Sequence, residues 1–278
     1  MKPQTPAILL ALSLALPLTS PLLSPQAASA KQPRQQQAEQ EPLPDLPHEP
    51  IFKTDAQGRV VPLTRPAHEA ALEVNPMIDA EILEQCLPII EERRERTRRL
   101  VLENLDLIAM ARSGTIEEVS VADRPSVARI VELLRPFVPE ENLAAELARR
   151  GVLNETQARF NAKIVNDYKL PLRRQFIQNA KNPDGTKPSD MDALTRFFLH
   201  DGIEEATLAY ESLLLALHDN AEHAIKAAGL EGEAADAVRH AAMTDPDRAT
   251  TIELMEEALK KVPLRQQRPL LAAAIKTN

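Results

Sequence analysis

Glycine is scarce in this chain: there are seven among 278 residues, where average usage is about 7 %. Ala, Leu, Glu and Arg are abundant instead, and these side chains lose little rotamer freedom in a helix. The expected class is therefore all-α, a multi-helix bundle or array of about eight or nine helices read from the apolar spacing. One small exception is expected at the start of the folded region. Ile51-Phe52-Lys53 and Arg59-Val60-Val61 flank Asp55-Ala56-Gln57-Gly58, a hairpin in which Gly58 supplies the positive φ of the turn. Pro62 and Pro66 end it.

Residues 1–30 read as an export signal. Lys2 is followed by the apolar run Ala7 to Leu16, and the segment closes on Ala28-Ser29-Ala30, the small-x-small pattern of a cleavage site after Ala30. A membrane span needs roughly 20 apolar residues and this run has about half that, so no membrane span is expected in the mature chain. The expected address is periplasmic or secreted. Cys86 is the one cysteine, so no internal disulfide is available and stability must come from packing.

Residues 31–50 hold prolines and glutamines and almost no large apolar side chain, the composition of a disordered linker that cannot offset its ordering entropy by burial. Residues 51–278 form the expected helical domain. A first helix is expected from about Met77 to Arg112, kinked or split at Pro88. Thr115 with Glu118 fits a capping box, and a helix follows over about Arg124 to Arg135. Glu140 to Arg150 is short, with Leu143 and Leu147 inward, and Asn154 with Gln157 opens a longer helix bent near Pro171. The stretch 182–188 is the strongest loop and divides the helical region into two halves. Beyond it the spacing predicts a helix from Ser189 to a break at Asp201-Gly202, then one continuous helix over 203–228 closed by Gly229. Helices near Ala234 to Met243, Asp245 to Lys261 and Arg265 to Lys276 complete the chain, with Asp245-Pro246 as a cap.

Function classes are narrowed mainly by exclusion. With Lys2 removed, 32 Lys and Arg face 41 Asp and Glu, a net charge of about −9 that opposes binding to phosphate backbones, so nucleic acid is not an expected partner. Trp is absent and the chain has six Phe and two Tyr, too few rings for the stacking platforms of single-stranded nucleic acid or sugar recognition. No Gly-x-Ser-x-Gly, His-Glu-x-x-His, phosphate-cradling glycine loop or paired-cysteine motif occurs, and no cofactor is expected. Cys86 lies on an apolar helix face, where a buried inert thiol is expected.

Two constellations stand out. Glu204, Glu211, His218 and Glu222 share one face of the expected helix 203–228, a set of metal-ligating residue types, although no second helix offers matching ligands. The ordinary alternative is a solvated polar face. The second is Glu91-Glu92-Arg93-Arg94-Glu95-Arg96-Thr97-Arg98-Arg99, which contains no apolar side chain. Arg93 and Arg96 stand on the face that carries Ile82, Ile89, Leu100 and Leu107, so the helix is expected to leave the core for about 13 Å. Pairs such as Glu92 with Arg96 and Glu95 with Arg99 would hold that stretch in water. Arg93, Arg94, Arg96, Arg98 and Arg99 are then candidates for docking an acidic protein partner or a second copy. The resulting expectation is an exported soluble protein with a noncatalytic interaction or structural role in the periplasm or cell envelope. A helical metal-binding protein or metalloenzyme is the alternative.

Overall fold

A computed structural model describes residues 42–112, 130–182, 184–244 and 246–275. Residues 1–30, most of the 31–50 stretch, the Thr115/Glu118 capping box and the first half of the Arg124 to Arg135 helix lie outside the described residues, while 130–134 are helical.

The turn after Phe52 forms, but only as a single antiparallel bridge between Thr54 and Val60, and no strand is present among the described residues. Asp55 Oδ1 accepts from the backbone N–H groups of Gln57 and Arg59, each at 2.9 Å, and Gly58 takes φ +75°. On the outer edge of this bridge a side chain stands where a further strand would pair. Gln175 accepts from Val60 N at 2.7 Å and donates to Val60 O at 3.1 Å.

Helices then follow in the order α1 (Ala67–Val74), α2 (Ala80–Glu103), α3 (Leu105–Arg112), a 3-10 turn (Arg135–Phe137), α4 (Leu143–Arg149), α5 (Glu155–Asn179) and α6 (Asp190–Gly202). The second half holds α7 (Glu204–Asp219), α8 (Ala221–Ala228), α9 (Gly232–Ala242), α10 (Arg248–Lys260) and α11 (Leu264–Ala274). The all-α class is as expected, but twelve helical elements among the described residues replace the eight or nine.

Local chemistry sets the ends. Asn154 and Gln157 form the capping box of α5, and Ser189 accepts from Asp192 N to start α6. The cap of α10 is Asp247, which accepts from Ala249 N and Thr250 N, rather than the expected Asp245 and Pro246. Two expected single helices are broken by asparagines. Asn104 Nδ2 donates to Leu100 O at 2.9 Å and separates α2 from α3. Asn220 Nδ2 donates to Ala216 O and to Ala274 O, each at 3.1 Å, and separates α7 from α8. At Asn104 the side chain takes the carbonyl four residues back while the backbone N–H turns to Val101 O, which competes with the helix ladder; at Asn220 the backbone N–H keeps Ala216 O, and the ladder ends in the non-helical backbone of that residue, φ −123° and ψ 26°. Prolines, by contrast, do not interrupt. Pro88 lies inside α2 and Pro171 inside α5, and the carbonyl groups they leave without a donor belong to Glu84 and Asp167, on exposed faces where water can reach them.

Three apolar clusters form the core. The largest is built on α7, whose Ala206, Tyr210, Leu213, Leu214 and Leu217 are buried against α2, α3 and α8 to α11. A second gathers Phe160, Ile164 and Tyr168 of α5 under Ala67 and Ala71 of α1. The third packs Cys86, Ile89 and Ile90 of α2 against Leu143 and Leu147 of α4. The first half of α2 therefore belongs to the third cluster, while Val101 near its end belongs to the largest. The chain between these points is the arginine-rich run.

Candidate functional site

At its centre the charged run of α2 turns inward. Arg93 is 5 % exposed, so the helix does not leave the core at this point, contrary to the expectation of a solvated stretch. Its guanidinium is fully engaged. Nε and Nη2 donate to the two oxygens of Glu205 at 2.8 Å, Nη1 donates to Glu146 at 2.7 Å, and Nη2 also donates to Glu141 O at 2.9 Å. Burial works against the Arg93 charge, and Glu205 and Glu146 more than offset it, so its pKa is raised. Glu146, 1 % exposed, receives Arg96 and Arg150 as well, and these cations hold its carboxyl below the usual range despite burial. This network fills the passage between two apolar clusters with paired charge.

Above it lies a cleft of about 220 Å³ between the chain entering α1, α2 and α7. Glu69, Arg93 and Glu205 make its floor, and Leu208 and Ala209 supply an apolar strip. Arg65, Arg94 and Arg98 rim it, with Thr97 and Ser212 adding hydroxyls. Four arginines thus face two glutamates in the lining. The rim cations differ in how firmly they are held. Arg94 donates to both oxygens of Glu69, which is 6 % exposed, and is structurally committed. Among the described residues Arg98 pairs with Glu95 alone, through one nitrogen and one oxygen at 2.7 Å, whereas Arg65 and Glu73 meet fork to fork, Nη1 and Nη2 each donating to one carboxylate oxygen. A single-contact surface pair such as Arg98 with Glu95 is worth about 0–1 kcal/mol, so a ligand carboxylate can replace it at little cost, while the bidentate pair holds Arg65 more firmly.

The docking candidates therefore separate. Arg93 is floor, Arg94 and Arg98 are rim, Arg96 reaches Glu146 and Glu92 on the side of α4, and exposed Arg99 does not line the cleft. Of the two expected ion pairs, Glu92 with Arg96 forms at 3.7 Å, while Glu95 takes Arg98 at 2.7 Å instead of Arg99.

The chain matches no protein family, no curated protein and no solved structure. Chemistry must be judged from the side chains alone.

The four metal candidates do not converge. Glu204 faces Lys169 at 3.6 Å, Glu211 takes Arg112 and Arg248, Glu222 takes Arg239 at 2.9 Å, and His218 Nε2 lies 2.8 Å from Thr244 O. The break at Asn220 also ends the helix that would have aligned them. Among the described residues no group of three or more His, Cys, Asp or Glu is placed to hold a metal ion. Cys86 is fully buried, and burial pushes its thiol up to about 11, which removes it as a nucleophile near neutral pH.

Sequence reasoning missed Glu69, Glu146, Glu205, Arg65 and Lys169. For Glu146 a signal existed. It sits one residue before Leu147 and three after Leu143 on an inward face, where a carboxylate must find a cation.

Proposed function

We propose that this is an exported, noncatalytic binding protein of the periplasm or cell envelope whose cleft between α1, α2 and α7 receives an acidic segment of a protein partner. The export part rests on the signal-like residues 1–30, whose Ala28-Ser29-Ala30 ending fits a cleavage site. The binding part rests on one observation: Arg98, held on the rim by one exchangeable surface pair, stands over a floor whose charges are already satisfied. An incoming carboxylate gains Arg98 without exposing a buried ion. The acidic remainder of the chain repels such a partner, but at physiological ionic strength that field decays within about 8 Å, leaving the local arginines to act. No helix of the described residues is long and apolar enough to cross a membrane.

A rhodamine-labelled oligo-aspartate peptide titrated into the mature protein tests this reading. Arg98→Glu is expected to weaken binding about tenfold or more, whereas Arg99→Glu, the same charge change outside the cleft, is expected to stay within about twofold. Equal losses in both variants would reduce the effect to overall charge and end the assignment of the cleft.

A further inference from the structure

The helix that walls the cleft begins at an ionic junction. α6 ends at Gly202, α7 starts at Glu204, and only Ile203 lies between them, with no side-chain cap on the first turn of α7. Carboxylates from both sides of this break meet one cation. Lys169 of α5 lies 2.5 Å from Asp201 and 3.6 Å from Glu204. The next residue, Glu205, is the one that binds Arg93 on the cleft floor. Two carboxylates thus share one ammonium one residue away from the binding site.

We propose that proton uptake by the Asp201–Glu204 pair around Lys169 regulates the cleft, raising its affinity for an anionic partner as the surroundings acidify. The inference rests on the acidic-segment reading given above. Lys169 sits closer to Asp201, so Glu204 is the member that gives up its charge; burial pushes its carboxyl up to about 7, against the attraction of Lys169 and with the repulsion of Asp201 and Glu205. Tyr168 of α5, whose pKa is raised by burial, feels both carboxylates, and His68 of α1 faces their shared cation, feeling Lys169 and Arg93. Burial and those two cations push His68 down to about 4, so it stays neutral while Glu204 titrates. Neutralising Glu204 removes one negative charge beside the Glu205–Arg93 pair and leaves Lys169 to Asp201.

The test is peptide affinity between about pH 8 and about pH 6, with an oligo-aspartate whose own carboxyls stay ionised across that range. The wild type is expected to bind about three- to tenfold tighter at the lower pH. Glu204→Gln is expected to bind at about pH 8 as the wild type does at about pH 6, with no further pH response. Asp201→Asn, which leaves Glu204 alone with Lys169, is expected to be tight and flat as well. A full pH response retained in both variants would overturn the proposal.

Urea unfolding without peptide separates the two ideas. If Glu204 is the proton site, the wild type loses stability relative to Glu204→Gln as pH rises through about 7. That loss without any peptide binding would overturn the cleft reading, and with it the regulation. Identical unfolding profiles of wild type and Glu204→Gln would overturn the proton site even if the peptide binds.

Discussion

Arg93 is the residue on which most of the local arrangement depends, because Glu146 and Glu205 lose their central cation when it is removed. A buried pair that loses one partner costs about 3–5 kcal/mol, more than most single surface changes. Arg93→Met is expected to destabilise the protein by about that amount in urea unfolding at neutral pH. Adding Glu146→Leu and Glu205→Leu should return part of the loss, since well-packed apolar groups are often as good as a buried ion cluster. A cost below about 1 kcal/mol would show that the guanidinium is not carrying both carboxylates. Two further residues act in opposition. Glu204, raised to about 7, contributes stability that is fully present below its ordinary 4.5 and is lost as pH rises through about 7. His68, lowered to about 4, contributes stability that is present above its ordinary 6.5 and is lost as pH falls through about 4. In the wild type these slopes largely cancel between about pH 7 and about pH 4.5. His68→Gln is expected to unmask the first, so that stability rises on mild acidification, and Glu204→Gln to unmask the second, so that it falls. Flat profiles in both variants would contradict the assigned burial.

At the scale of elements, helix identity was legible and helix ends only in part. Abundant helix formers and apolar spacing are local properties, which is why α4, α5 and α6 lie where the sequence places them, and caps such as Asn154 with Gln157 span only a few residues. The breaks at Asn104 and Asn220 were not legible. An asparagine inside a helical pattern ends it only if its side chain turns back on the ladder, and for Asn220 that choice is reinforced by Ala274 O, 54 residues away. Of the two outcomes expected at Pro88, a kink or a split, the split does not occur, since α2 runs through it and the freed carbonyl of Glu84 lies on an exposed face. Asn220→Ala should cost about 1–2 kcal/mol through two lost hydrogen bonds, read as a lowered urea midpoint. An unchanged midpoint would mean that the Ala274 carbonyl finds water instead.

The whole molecule from Leu43 onward is one compact unit in which α2 ties two apolar clusters together and meets α7 at the buried Arg93–Glu205 pair. The cleft exists because the two helices meet at a charged rather than an apolar contact. Almost none of this was legible beforehand, since the partners of Arg93 lie 53 and 112 residues away and no local pattern names them. What could be read was the anomaly itself, Arg93 on a face of Ile and Leu. The reading as a solvated detour failed because it weighed charge along the helix and not across to α4 and α7. The measurement that tests the account most directly is photocrosslinking in the source cell, with a photoreactive residue in place of Thr97 in the cleft and, separately, in place of Met243, which is 80 % exposed and far along the chain in α9's cap. The account predicts one discrete adduct from position 97, containing an acidic segment of another envelope protein and lost with Arg98→Glu, and none of that species from position 243. The same adducts from both positions, or an adduct from position 97 that survives Arg98→Glu, would contradict it.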